Sequence, residues 1–280
     1  MLTKNHDPAT LWRRQYLATM ACEKSRNFYD DEHTAIRFAE NPYVWKDGRL
    51  RCSQLEIKKN WSVLDIGAGP GTMAIPLAKR CRKVTAVEPS KPMVKILKRN
   101  SRIHGLQNIE VVHSRWEDVN EDIGRHDVII AAYSLMMEDI EGALLKMDRL
   151  ANKHVHLYWF AGVPFWERIR ADLFPIIYKK EYSCSPKCDL IYRVLYNHGI
   201  YPDVINLSNG AFPRYRSFTT KEALAELREL LWLNEGVHDD ILIDYIKNRY
   251  KKDGEDRWLR PDNTVRVRIS WRPDHKSRKW

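Results

Sequence analysis

Residues 61–80 read WSVLDIGAGPGTMAIPLAKR, an apolar run closed by an aspartate, three glycines within five positions, and then a second apolar stretch. A glycine turn between a buried strand and a helix lets backbone N–H groups come close to a ligand. The neighbouring residues decide which ligand. A nucleoside triphosphate loop ends in Lys-Ser or Lys-Thr, but Gly67-Ala68-Gly69-Pro70-Gly71-Thr72 has no lysine before Lys79, which excludes a standard P-loop. A dinucleotide turn follows G-x-G-x-x-G, and this one is G-x-G-x-G with Asp65 two residues ahead of it. A carboxylate there repels a pyrophosphate and suits a cationic group such as an ammonium.

Outward from this turn the chain alternates short β-rich runs with helical spacing. Residues 63–66, 84–87, 109–113, 127–132 and 154–160 are expected strands, and 72–80, 92–104 and 140–150 expected helices. That rhythm implies right-handed βαβ crossovers and a mostly parallel sheet. Residues 8–58 read as helical, opened by Asp7-Pro8 and interrupted at Pro42. After Phe160 the spacing predicts helices at 164–178, 189–198, 219–233 and 238–250, and a strand at 203–207. A final alternating strand is expected over 264–271, TVRVRISW. The expected organisation is an N-terminal helical cap over 1–60 and a catalytic α/β domain over 61–280, with acceptor-side insertions in 161–260.

The second expected strand ends in Val87-Glu88-Pro89-Ser90, placing an acid where ribose hydroxyls are reached in such folds. A ligand with a ribose and an amino-acid head but no phosphate matches both Asp65 and Glu88, and S-adenosylmethionine is such a molecule. DIGAGPG followed by VTAVEPS resembles the first two motifs of the class I S-adenosylmethionine-dependent methyltransferases. The resemblance spans about residues 61–160. It implies a Rossmann-like, doubly wound, mostly parallel seven-stranded sheet with an antiparallel last strand. It also implies S-adenosylmethionine as cofactor, with Asp65 serving the methionyl ammonium, Gly67, Gly69 and Gly71 giving close approach, and Glu88 binding the ribose. Met93 would wall the adenine, with Ala68, Pro89, Ser90, Ala132 and Tyr133 completing the lining. Many family members carry an Asp after the third strand, where this chain has Arg115, which cannot accept a hydrogen bond. The adenine is therefore expected against Trp116 with Ser114 or Glu117 nearby; the alternative for Trp116 is packing.

Methyl transfer from a sulfonium needs in-line positioning, and needs a base only for a protonated nucleophile. No pattern identifies a base; Tyr133, Glu138 and Asp139 are the polar groups at the relevant rim. Residues 131–134, AAYS, lack the Asp/Asn-Pro-Pro-aromatic tetrad of amino methyltransferases acting on adenine or glutamine. Phe160, Phe165 and Trp166 are candidates for an apolar acceptor wall or for packing. Cys184 and Cys188 form a C-x₃-C without a second pair, so no metal is expected.

The chain of 280 residues carries a net charge of +10, with basic runs at 79–83, 95–102 and in the tail HKSRKW. Five scattered cysteines argue for reduced thiols and a cytoplasmic setting. The opening residues lack an apolar signal core, and no run of about 18 apolar residues is present, so no membrane partner is expected. The leading expectation is a methyltransferase for a small-molecule or protein acceptor. RNA is the alternative acceptor, and a non-catalytic donor-binding scaffold is an alternative of another class. The oligomeric state is not encoded in any motif.

Overall fold

A computed structural model describes residues 7–22, 28–207 and 213–274. The basic tail, with Trp280, lies outside the described residues. Ten strands are described: β1 (Ser62–Ile66), β2 (Lys83–Val87), β3 (Ile109–Val112), β4 (His126–Ala132), β5 (Ala151–Phe160), β6 (Asp203–Asn206), β7 (Tyr215–Thr219), β8 (Lys251–Lys252), β9 (Arg257–Pro261) and β10 (Arg266–Trp271). Seven form one sheet in the order β3-β2-β1-β4-β5-β10-β6. The pairs β1·β2, β1·β4, β2·β3 and β4·β5 are parallel, and β10 runs antiparallel to both β5 and β6. This is the expected mostly parallel α/β sheet. The antiparallel strand is last in sequence but inserts between β5 and β6.

The described α-helices are α1 (Pro8–Cys22), α2 (Glu32–Glu40), α3 (Pro42–Ser53), α4 (Ala74–Ala78), α5 (Lys91–Ile103), α6 (Ile140–Leu150), α7 (Phe165–Tyr178), α8 (Cys188–Asn197), α9 (Thr220–Leu230) and α10 (Asp239–Arg249). Their starts follow from capping chemistry. Asp7 accepts from the Thr10 N–H at 2.8 Å, Ser90 from Met93 at 3.3 Å, and Thr219 with Glu222 forms a reciprocal capping box. Pro42, expected as an interruption, is the first residue of α3, capped by Asn41, because proline is compatible with a first helical turn.

All five residues of β1 are buried, as a strand covered on both faces requires. One core cluster joins Leu64, Ile66, Leu157 and Trp159 to Trp12 of α1, to α6 and to α8. The other joins Val63, Val128, Ile130 and Tyr158 to Cys52 of α3, to α4 and to Leu97 of α5. The N-terminal helices are thus divided between two clusters. Trp12 is fully buried and donates its indole N–H to the Met137 carbonyl at 2.8 Å. A third cluster, built by α7, α9 and α10, includes Leu173, Phe174, Leu227 and Ile246.

The late region holds one element that was not expected, an antiparallel three-stranded sheet in the order β7-β9-β8. Its strands, YRSFT, KK and RWLRP, are short and rich in cations, so they carry little apolar alternation. Tertiary packing supplies what periodicity lacks. Arg260 is 1% exposed, paired with Glu226 at 2.8 Å and stacked 3.5 Å from the Phe165 ring centre.

Helix α3 touches the turn after β1 through Gly48. A Cβ on Gly48 would lie 2.4 Å from the Thr72 carbonyl oxygen. Gly48→Ala gains about 1 kcal/mol of helix propensity but must push α3 off that backbone. Urea denaturation is expected to show a net loss of about 1–3 kcal/mol. Gly162→Ala, where a Cβ meets nothing within 4 Å, should change stability by about 0.5 kcal/mol or less.

Candidate functional site

Beyond Ile66 the chain turns through three left-handed glycines, Gly67 (φ 69°), Gly69 (φ 54°) and Gly71 (φ 94°). The N–H groups of Gly67 and Ala68 both donate to the Val87 carbonyl, at 2.8 and 3.1 Å, clipping the turn to the end of β2. The three glycines do different work. A Cβ on Gly67 would sit 2.3 Å from the Ser134 Cβ, and one on Gly71 2.5 Å from Leu97 Cδ1. A Cβ on Gly69 would meet nothing within 4 Å. Close approach at Gly67 and Gly71 is therefore to the protein itself, and Gly69 alone faces open space.

Asp65 is 2% exposed. Its Oδ2 has no hydrogen-bond partner among the described residues. Burial pushes its carboxyl up to about 7; the Arg51 guanidinium opposes this, nearby Glu88 adds to it, and the Ala74 N–H opposes it. An anion held this way, with one oxygen unused, is suited to a cationic ligand group. Glu88 is buried as well, and both of its oxygens are engaged: Gly69 N–H donates to Oε2 at 2.7 Å and Ser90 N–H to Oε1 at 2.9 Å. Burial raises its pKa and those two N–H groups lower it. Asp65, the glycine turn and Glu88 are therefore brought together at the carboxyl ends of β1 and β2, where open α/β sheets bind ligands.

Ser90 caps α5 and donates to the Tyr29 carbonyl at 2.6 Å, so the turn before α2 lies against this rim. Met93 is 1% exposed in the first turn of α5, and Pro89 is exposed beside His113, whose Nε2 lies 2.9 Å from the Pro89 carbonyl oxygen. Ser114 donates to its neighbour's carbonyl at 3.0 Å. Exposed Arg115 pairs with Glu117 at 3.8 Å. Trp116 takes the packing alternative: it is 2% exposed within the core, its indole N–H reaches the Ala143 carbonyl of α6 at 3.3 Å, and Lys146 lies 4.2 Å from its ring centre. Its indole ring is packed within the core, with its N–H and one face engaged by α6.

At the end of β4, Ala132 leads into Tyr133, a non-glycine residue at φ 57°. The Tyr133 ring stacks on Phe160 at 5.0 Å, Phe160 meets Trp166 edge-on at 5.2 Å, and Trp166 meets Phe165 at 5.1 Å. The four aromatic residues proposed from sequence for this rim form one continuous cluster. The Tyr133 hydroxyl is buried without a partner, and burial pushes its pKa far up, which keeps it protonated. Glu138 is paired with Arg13 of α1 at 2.8 Å, and Asp139 caps α6 through the Gly142 N–H at 2.9 Å. Among the described residues no group of three or more His, Cys, Asp or Glu is placed to hold a metal ion.

Two residues of this site were missed. Asp47 and Arg51 of α3 form a buried pair at 2.8 Å, and the Arg51 guanidinium carbon lies 4.9 Å from the Tyr133 ring centre and 5.3 Å from that of Tyr158. The available signal was an i, i+4 acid–base pair inside the segment DGRLR. Nothing in that spacing says that the pair is buried.

Residues 63–154 match a family model described as "Methyltransferase domain". An uncharacterised Haemophilus influenzae protein is 32% identical over 127 residues, covering 44% of this chain and 47% of the relative. A Methanosphaera stadtmanae protein named "Probable ribosomal RNA small subunit methyltransferase A" is 28% identical over 117 residues, covering 42% and 38%. The chain thus spans about half, or less, of the length of these curated relatives. Among solved structures, the YcgJ protein of Bacillus subtilis superposes with a TM-score of 0.54 at 13% identity, over 82% of this chain and 99% of that one. A Bacillus halodurans C-125 protein superposes at 0.53 and 15% identity, over 87% and 98%. These two likenesses establish a shared fold.

The division of labour among the glycines is testable. Gly67→Ala adds a collision to a left-handed backbone and should cost about 2–4 kcal/mol of stability. Gly69→Ala should cost about 1 kcal/mol from backbone strain alone while narrowing the open side of the turn. Thermal melts of the two variants should separate them in that order.

Proposed function

We propose that this chain, whose residues 63–154 match a methyltransferase-domain model, is a class I S-adenosylmethionine-dependent methyltransferase, an enzyme that transfers a methyl group from S-adenosylmethionine to a small-molecule or protein acceptor. The observation that carries the reading is Asp65, a buried carboxylate with one oxygen unpartnered at the end of β1. Such an atom costs about 1–3 kcal/mol unless something pairs with it, and an ammonium beside the open side of Gly69 would.

When bound, S-adenosylmethionine supplies an electrophilic methyl group on a sulfonium. The chain's own part is to bind, orient and shield. Asp65 would hold the methionyl ammonium, Gly69 would admit the ligand against backbone, and Glu88 is the acid for the ribose hydroxyls. The aromatic cluster of Tyr133, Phe160, Phe165 and Trp166 would keep water from the transfer path. Tyr133 stays protonated, Glu138 is paired and Asp139 caps a helix, so none of the three is a ready base. This favours an acceptor atom that arrives with a free lone pair, because orientation alone then suffices.

RNA is the second reading, supported by a specific feature. Residues 79–104 hold nine Lys and Arg and a single acid, the buried Glu88. Of those cations, Lys83 pairs with Glu110 and Lys95 with Glu32. The Methanosphaera relative's name points to ribosomal RNA. RNA binding would weaken with salt by about 0.7 log units per phosphate contact per log unit of salt. Fluorescence anisotropy with a short single-stranded RNA checks this, and salt-insensitive or absent binding removes the reading.

Isothermal titration with S-adenosylmethionine tests the main proposal. The free Asp65 carboxyl titrates at about 7 and the ligand ammonium would hold it ionised, so affinity should rise with pH up to about 7. It should fall again above the ligand ammonium's own pKa, about 8. Asp65→Asn should flatten the acid limb and weaken binding roughly 10- to 100-fold. Glu88→Ala should also weaken it. No binding to folded wild-type protein at pH 7 would sink the proposal. Turnover of labelled donor in a cell extract would separate an enzyme from a non-catalytic scaffold.

A further inference from the structure

Strand β6 ends the seven-stranded sheet, and among the described residues no strand pairs with its outer side. All four of its residues are exposed, Val204 at 45% and Ile205 at 43%. Strand edges are usually blunted by lysine, proline or a bulge. β6 holds none of these, and Pro202 precedes the strand rather than interrupting it. The ladder to β10 fixes which backbone groups face outward. The Leu207 N–H donates to the Arg266 carbonyl at 2.8 Å, and the same register sets Ile205 opposite Arg268 and Val204 opposite Ile269. Hydrogen-bonded pairs alternate along an antiparallel ladder. Leu207, Ile205 and Asp203 therefore bond inward, and the Val204 N–H and carbonyl point to the open side.

Val204 shares a sheet face with Ile269, which is the face covered by α8. On that side three tyrosines continue the exposed surface. The Tyr192 and Tyr196 rings of α8 lie 6.3 Å apart and within 23° of parallel, and Tyr196 meets Tyr201, two residues ahead of β6, at 5.4 Å. Tyr196 is 56% and Tyr201 65% exposed. Charge decides what this surface fits. Residues 196–207, YNHGIYPDVINL, hold one formal charge, Asp203, in a chain of net charge +10. A polyanion finds no lysine or arginine in that segment. The basic residues 79–104 belong to β2, α5 and their flanks, toward the opposite end of the sheet. Tyrosine with few charges is the composition of a protein–protein interface core.

We infer that β6 is the interface of a symmetric dimer, pairing antiparallel with β6 of a second copy about a two-fold axis at Val204. A two-fold that reverses a strand within one sheet stands perpendicular to that sheet, so residues of the same face meet. Val204 exchanges two backbone hydrogen bonds with its counterpart, and Asp203 lies opposite Ile205 of the second copy, so no like charges meet. The two sheets become one, both α8 helices lie on the same face of it, and the basic segments stay at its outer ends. The dimer does not depend on the methyl-donor reading.

Sedimentation equilibrium of the full chain should give a mass approaching twice 33.1 kDa at about 100 μM, where a dimer of micromolar dissociation constant is nearly complete. Val204→Pro removes the outward N–H without removing a bond to β10, and should weaken the dimer about tenfold or more. Val204→Lys keeps the backbone donor and sets like charges across the axis, so it should weaken the dimer similarly. Hydrogen-bonded antiparallel partners have Cα atoms about 5.5 Å apart, within disulfide reach. Val204→Cys under oxidised glutathione should therefore give more cross-linked dimer than Val237→Cys, which alters an exposed residue elsewhere. A mass of 33.1 kDa at that loading overturns the inference. So does a dimer undiminished in either folded Val204 variant, or cross-linking at 204 no greater than at 237. None of these outcomes bears on S-adenosylmethionine binding.

Discussion

The burial of the Asp65 carboxylate organises the rest of the site. A charge taken out of water at the end of β1 is tolerated only with compensation, and the surroundings supply it in parts. The Ala74 N–H and the Arg51 guanidinium favour the ionised form, while desolvation and Glu88 disfavour it. The balance leaves a group poised near neutrality with an unused oxygen. Placing that group there requires β1 covered on both faces, a left-handed turn directly after it, and a helix bringing Arg51 alongside.

The turn illustrates how one motif meets several constraints. Gly67 is required by Ser134, whose hydroxyl donates to the Ile66 carbonyl at 2.6 Å and so ties the end of β4 to the end of β1. Gly71 is required by Leu97 and Ile75, which pack α5 and the start of α4 together. These two glycines allow neighbouring elements to close up, and the third faces open space. Glu88 then joins the turn to β2 through Gly69 and to α5 through Ser90. Fold and site share the same few backbone contacts.

Much of this was legible in the sequence because it rests on local chemistry. The β1–turn–α4 unit, the acid after β2 and the five parallel strands announce themselves through apolar runs, glycines and helix caps, and their bounds were found within about three residues. The late three-stranded sheet was not legible, since Arg260 sits at a buried strand position where only its partner Glu226 makes sense of a cation, and the two-residue β8 carries no alternation. Trp116 was ambiguous because an indole suits a cleft as well as a core, and the Ala143 carbonyl that decides the matter is 27 residues away. Arg51 was hidden for the opposite reason. Its partner Asp47 is close in sequence, but burial of the pair depends on α3 lying against the sheet.

The insertion of β10 between β5 and β6 also constrains how the chain reaches its fold. During synthesis β1 to β5 and their helices emerge first and can assemble through comparatively local crossovers. The edge of β5, from Val155 to Phe160, must then wait for residues 266–271, more than a hundred positions later, before its backbone is paired. Strand β6 emerges earlier but joins the sheet only through β10. An unpaired apolar edge is a template for association with other chains. The interval between synthesis of β5 and of β10 is therefore a stage at which that edge is open to misassembly.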